Sequence, residues 1–165
     1  MKKLSIVIPI YNEAENLPQL LDQWIAFCKQ NNFELVLVND GSKDGTREIL
    51  EKLPAAAFIK VLHHKVNRGY GGAIKTGISN AETSFVVTID ADGQHELSSI
   101  IDLLLKLEAN DADMVIGSRG KSNRAFTFRN TGKALIRGVS RMLIPNKITD
   151  LNSGMKLYRT DLAKR

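Results

Sequence analysis

SFVVTIDADGQHELSS, residues 84–99, decides the fold. Its first half is a continuous apolar run, not the alternation of apolar and polar residues that a strand with one wet face shows. The run then stops at Asp90 and Asp92, with Gly93 immediately after. This predicts a strand buried on both faces whose carboxyl end carries two acids. Four further runs read the same way: LSIVIPI (4–10), FELVLVND (33–40), FIKVLHH (58–64) and ADMVIGS (112–118). Between them the apolar residues take helical spacing. Leu17, Leu20, Leu21, Trp24, Ile25 and Cys28 form one helix face, and Ile100, Leu103, Leu104 and Leu107 form another. Strand–helix alternation predicts an α/β fold, a mostly parallel central sheet with helices on both faces.

In such a sheet, ligands collect at the carboxyl ends of the strands. The chemically distinctive residues fall there. The first strand ends in Pro9, Tyr11, Asn12 and Glu13, and the second in NDGSKDGT. The third leads into NRGYGGA, the fourth ends in DADGQH, and the fifth ends in GSR. One edge of the sheet therefore gathers the polar chemistry.

Composition narrows the field. The 165 residues are 43% apolar and 25% charged, ordinary for one globular domain with a real core. No apolar run approaches the ~20 residues that span a bilayer. The opening MKKLSIVIPIYNEAEN has the basic start of a signal peptide, but Pro9, Asn12, Glu13 and Glu15 interrupt it, so a buried first strand is the better reading. Cys28 is the single cysteine, which fits a reducing compartment and a packed thiol. The net charge of +5 is unevenly spread: residues 1–118 hold 11 Lys and Arg against 16 Asp and Glu, whereas residues 119–165 hold 12 against 2. A basic tail of this kind suits nucleic acid, a phosphorylated small molecule or an acidic membrane surface, or else is a solvated helix face.

Asp90 and Asp92 admit two readings. They form a solvated turn, or they hold a cation between them, because clustered carboxylates raise one another's pKa unless a positive charge intervenes. Hard oxygen donors suit Mg²⁺ or Mn²⁺, an ion shared with substrate phosphates, and Gln94 or His95 can complete the shell. In VNDGSKDGT (38–46), Asp44 reads as a helix cap and Asp40 as a ligand for a base or ribose. NRGYGGAIKTG (67–77) fits neither of the known glycine-rich phosphate loops. Ile74 stands where Gly-x-Gly-x-x-Gly needs its last glycine, and no Gly-Lys-Ser/Thr follows. A close-packed helix start is the plainer reading. His63, His64 and His95 lack zinc spacing.

Taken in order, IVIPIYNEAENL, VNDGSKDGT, NRGYGGA, DADGQH, GSR and TDLNSGMKLYR resemble the family-2 glycosyltransferases, nearest to the polyprenyl- or dolichol-phosphate sugar transferases. The resemblance implies a Rossmann-like nucleotide-sugar-binding (GT-A) fold. It implies inverting transfer from a nucleoside-diphosphate sugar with a divalent metal. Pro9, Tyr11, Glu13, Asp40 and Ala91 would line the nucleotide pocket, bordered by Arg68 and Gly72. Asp90, Asp92 and Gln94 would hold Mg²⁺ or Mn²⁺. Arg119, Arg129 and Lys133 would meet acceptor phosphate. Asp150 would lie on the acceptor side, a base if the acceptor is a saccharide hydroxyl rather than a lipid phosphate. Met155 and Lys156 stand where the family pattern has Phe and Arg. A nucleotidyltransferase is disfavoured by the acidic PIYNEAEN near the first strand. A nucleic-acid-binding module is disfavoured by 6% aromatics and an acidic first two-thirds. The expected setting is the cytoplasm, peripheral at the cytoplasmic face of the membrane. The expected organisation is one catalytic domain over 1–165, cut before further C-terminal elements, with RTDLAKR reading as a helix start.

Overall fold

The computed structural model describes residues 2–117 and 154–165. Six strands form one sheet: β1 (Leu4–Ile10), β2 (Glu34–Asn39), β3 (Ile59–His63), β4 (Phe85–Thr88), β5 (Met114–Ile116) and β6 (Lys156–Arg159). The helices are α1 (Leu17–Asn31), α2 (Thr46–Glu51), α3 (Tyr70–Asn80), α4 (Ser98–Ala109) and α5 (Thr160–Ala163). The strand order is β3-β2-β1-β4-β6-β5. β1 pairs parallel with both β2 and β4, and β2 pairs parallel with β3. β6 is the exception, antiparallel to β4 on one side and to β5 on the other. The mostly parallel sheet is as the strand pattern requires. The KLYR strand was not foreseen: four residues with two of them charged carry no buried-strand signature.

Alternation along β1 divides the interior into two layers. Leu4, Ile6, Ile8 and Ile10 face the larger core, with Leu17, Leu21 and Trp24 of α1 and Ile100, Leu104 and Leu107 of α4. Val7 faces the other side, with Val36, Val38, Val86 and the α3 residues Ala73 and Ile78. Cys28 is fully buried in the first layer, and desolvation pushes its thiol up to about 12, so it is a packed residue. α3 lies unusually close to the sheet. A Cβ on Gly77 would come 2.3 Å from Val7 Cγ1. The close packing expected at the helix start falls instead at Gly77, within the helix; nothing lies within 4 Å of a Cβ on Gly69 or Gly71.

β1 has its sequence successor β2 on one side and β4 on the other. The chain thus reverses its direction of travel across the sheet between β1 and β4. β1 and β4 run on to α1 and α4, both on the larger-core face, while α3 covers the other, and at this switch point a crevice opens at the carboxyl ends of the two strands.

Candidate active site

That crevice is a cavity of about 330 Å³, lined by Pro9, Ile10, Tyr11, Glu13, Asp40, Asn67, Tyr70, Ala73, Asp90, Ala91 and Asp92. Its size suits a small ligand.

The β1 wall is held by the loop after β2. Asn12 sits in the left-handed region, at φ +55°. Its N–H donates to Ser42 Oγ at 3.0 Å, and its Oδ1 accepts the Lys43 N–H at 2.8 Å. The Glu13 N–H reaches Thr46 Oγ1, and the Ala14 N–H reaches Asp44 Oδ2, both at 3.0 Å. Asp44 Oδ1 also accepts the Thr46 N–H at the start of α2. The polar residues of NDGSKDGT therefore clamp the loop carrying Tyr11 and Glu13. Gly41, at φ +69°, brings the third loop in: a Cβ there would lie 2.6 Å from Asn67 N and Val66 C.

Asp40 is buried at the end of β2. Its Oδ1 accepts the Arg68 backbone N–H at 2.8 Å and lies 2.6 Å from His64 Nδ1. The β4 end carries the acids. The strand ladder continues only to Ile89, whose N–H bonds to Val7 O, and residues 91 and 92 form a turn. Extended backbone thus accounts for Asp90 alone, yet the turn still delivers both carboxylates to one cavity. Gly93, at φ +69°, closes that turn over α1, where a Cβ would sit 2.8 Å from Leu20 Cδ2.

Asp90 is the more enclosed acid. Tyr70 Oη donates to its Oδ1 at 2.9 Å, and His95 Nε2 lies 3.4 Å from its Oδ2. Partial burial first, then the hydrogen bond to Asp90 and the nearby carboxylate charges, push the Tyr70 phenol far above the ordinary tyrosine range. It stays a proton donor. Gly154 approaches from β6. A Cβ on it would fall 2.0 Å from Asp90 Oδ2, and its carbonyl accepts from Thr88 Oγ1 at 3.1 Å. Asp92 is exposed, and its Oδ1 accepts the Gln94 N–H.

Of the residues expected at a nucleotide, Pro9, Tyr11, Glu13, Asp40 and Ala91 come together with Asp90 and Asp92. Arg68 and Gly72 lie outside the lining. Arg68 contributes its backbone N–H to Asp40, and Gly72 packs under the Arg68 side chain. Gln94 is exposed and touches Asp92 through its backbone. Arg119, Arg129, Lys133 and Asp150 lie outside the described residues. Tyr70, Asn67 and Ala73 were missed although they stand inside NRGYGGA, because a glycine-centred reading passes over the residues between.

The donor set suits a hard cation. Only oxygen ligands face the cavity from the acidic pair. Among the described residues no cluster of three or more His, Cys, Asp or Glu could cage a metal alone.

Residues 5–165 match the family described as glycosyl transferase family 2. The chain belongs to that family. The chain is 34% identical over 163 residues to the undecaprenyl-phosphate 4-deoxy-4-formamido-L-arabinose transferase of Proteus mirabilis (strain HI4320), across 96% of this chain and 49% of that protein. It is 33% identical to the dolichyl-phosphate beta-glucosyltransferase of Dictyostelium discoideum, across 98% of this chain and 55% of that protein. The chain thus spans about half the length of these curated relatives. Among solved structures it resembles S. aureus TarS 1–349 in complex with UDP-GlcNAc, with a TM-score of 0.66 and 26% identity, over 98% of this chain and 46% of that one. It shares its fold with glucosyl-3-phosphoglycerate synthase of Mycobacterium tuberculosis in complex with Mn²⁺, UDP-glucose and phosphoglyceric acid. There the TM-score is 0.72 at 21% identity, over 98% of this chain and 57% of that one. The fold of the chain is therefore GT-A.

Proposed function

We propose that this chain binds a nucleoside-diphosphate sugar in the β1–β4 crevice and transfers the sugar, with inversion, to a polyprenyl or dolichyl phosphate. One observation carries the reading. The Pro9–Tyr11–Asp40 wall and the Asp90–Asp92 wall meet in a single cavity at the point where the strand order reverses. The relatives that act on undecaprenyl and dolichyl phosphate support the acceptor class.

The base end is the Pro9, Tyr11 and Asp40 side, where a carboxylate can accept an N–H or a ribose hydroxyl. The diphosphate end is the Asp90 and Asp92 side, where Mg²⁺ or Mn²⁺ would be held. Bound there, the ion supplies the positive charge that offsets the departing diphosphate. In the transfer, an acceptor phosphate oxygen attacks the anomeric carbon from the face opposite the leaving group. The bond to the diphosphate breaks, and its electron pair leaves with the nucleotide. A lipid phosphate is already ionised, so the attack needs no strong general base. Arg119, Arg129 and Lys133 would steer that phosphate, and Asp150 would lie beside it. The basic tail suits work at an anionic membrane surface, from the cytoplasmic side. Among the described residues no helix is long and apolar enough to cross a membrane.

A thermal-shift panel of UDP-, GDP- and dTDP-sugars, with and without Mn²⁺, tests this. One donor should raise Tm by mass action, more with the metal than without. Asp92→Ala should keep the fold and lose the Mn²⁺-dependent part. No shift with any donor would overturn the nucleotide reading, and an undiminished shift in Asp92→Ala would overturn the metal site.

A further inference from the structure

We propose that His64 is a positioning residue that sets nucleobase discrimination by holding Asp40 as a pure hydrogen-bond acceptor, an inference that rests on the crevice being a nucleotide site. Both residues are buried, Asp40 at 3% exposed and His64 at 8%. The Arg68 backbone N–H can only donate, and it points at Asp40 Oδ1 from 2.8 Å. A proton on Oδ1 would face that N–H. The 2.6 Å contact between Oδ1 and His64 Nδ1 is therefore a bond in which the imidazole donates. The other ring nitrogen, Nε2, lies 2.9 Å from Thr76 Oγ1 on α3. The ring is fixed at both ends, so its donor cannot swing away from Asp40.

Both donors meet the same oxygen, Oδ1. They also leave Oδ2 without a hydrogen bond. Among the described residues Thr160 Oγ1 is the one sealed side-chain polar atom lacking a partner, so Oδ2 is not sealed. Asp40 lines the cavity, and Oδ2 is the carboxylate oxygen left to meet a ligand there. An oxygen that can only accept favours a base with an N–H at the ring position it faces, as uracil, thymine and guanine have, over one whose only donor there is the neighbouring amino group. Cytosine offers a lone pair at that position and is repelled. His64 touches neither base nor sugar in this arrangement. It acts by fixing the rotamer of the residue that does.

Binding of UDP, CDP and GDP in Mn²⁺, measured by titration calorimetry on the whole chain, tests this. UDP and CDP differ only at the base edge. Wild type should bind UDP or GDP roughly tenfold or more tighter than CDP, the worth of one hydrogen bond to a charged group. His64→Leu removes the donor, frees the Asp40 carboxylate to turn, and should narrow that ratio to within about threefold. His64→Asn, which keeps an N–H near the Nδ1 position, should restore it. Thr76→Val, which only unclamps the ring, should narrow it by a smaller factor and serves if His64→Leu does not fold. If affinities for all three nucleotides fall together at an unchanged ratio, His64 is merely structural and the proposal is overturned. A wild type that binds CDP as well as the others overturns it too. A wild type that binds none of the three overturns the nucleotide site itself.

Discussion

Gly154 shows how little room the acidic site has. Its Cα stands so near Asp90 that an added methyl would lie 2.0 Å from Oδ2 and 2.4 Å from Cγ. The obstructed atoms belong to the end of a side chain, not to backbone. Gly154→Ala should therefore turn the carboxylate rather than unfold the protein, at a cost of about 1 kcal/mol for a displaced rotamer. The turn would also strain the Tyr70 hydrogen bond to Oδ1. The expected outcome is a Tm in buffer within a few degrees of wild type, together with loss of the Mn²⁺-dependent stabilisation by nucleotide. Retention of the full metal-dependent shift would show that Asp90 does not need its present orientation. At this scale the sequence was partly legible. Asp90, Asp92 and Asp40 stand out because acids directly after a buried run are costly without a partner. Tyr70, His64 and Gly154 do not stand out. Their roles depend on which atoms they meet across 20, 24 and 64 residues of chain, respectively.

Helix α3 joins the sheet to the site. Its first residues Tyr70 and Ala73 line the cavity, Thr76 holds His64, and Gly77 sits against β1. Gly77→Ala would place a methyl 2.3 Å from Val7 Cγ1 and 3.2 Å from Val38 Cγ2. Both are short branched side chains on central strands and cannot step aside. The helix must lift instead, at a cost of about 1–3 kcal/mol for overpacking. The urea midpoint should drop and nucleotide affinity should fall with it, because the cavity wall moves with the helix. Gly71→Ala is the control. Nothing lies within 4 Å of the added methyl, so better helix propensity should leave stability unchanged or raise it by up to about 1 kcal/mol. Equal destabilisation by both changes would mean that close packing on Val7 is not what Gly77 provides. Helices α1 and α4 could be read from periodicity because each buries a long apolar face, and the first five strands from their apolar runs. β6 could not. LYR and its preceding Lys156 pair in register with Thr88 through Phe85, and only that long-range pairing makes them a strand.

Across the whole molecule the charge is segregated. The part that builds the cavity, residues 1–118, carries a net −5, while residues 119–165 carry a net +10. A nucleoside diphosphate or a lipid phosphate approaches the first part against repulsion. Cations must offset it: the chain supplies them in its basic C-terminal third, and on the proposed reading a metal at Asp90 and Asp92 would add to them. The same third would be drawn to anionic lipid, at about 1 kcal/mol for each Lys or Arg near the surface. Such attraction decays over a Debye length of about 8 Å at physiological salt, so it should be lost when salt rises. The chain should sediment with vesicles containing anionic phospholipid at about 0.05 M salt, stay in solution with purely zwitterionic vesicles, and be released by about 0.5 M salt. Capture that persists at high salt would point to apolar insertion instead. Equal capture by zwitterionic vesicles would leave the basic third no part in reaching a membrane-borne acceptor.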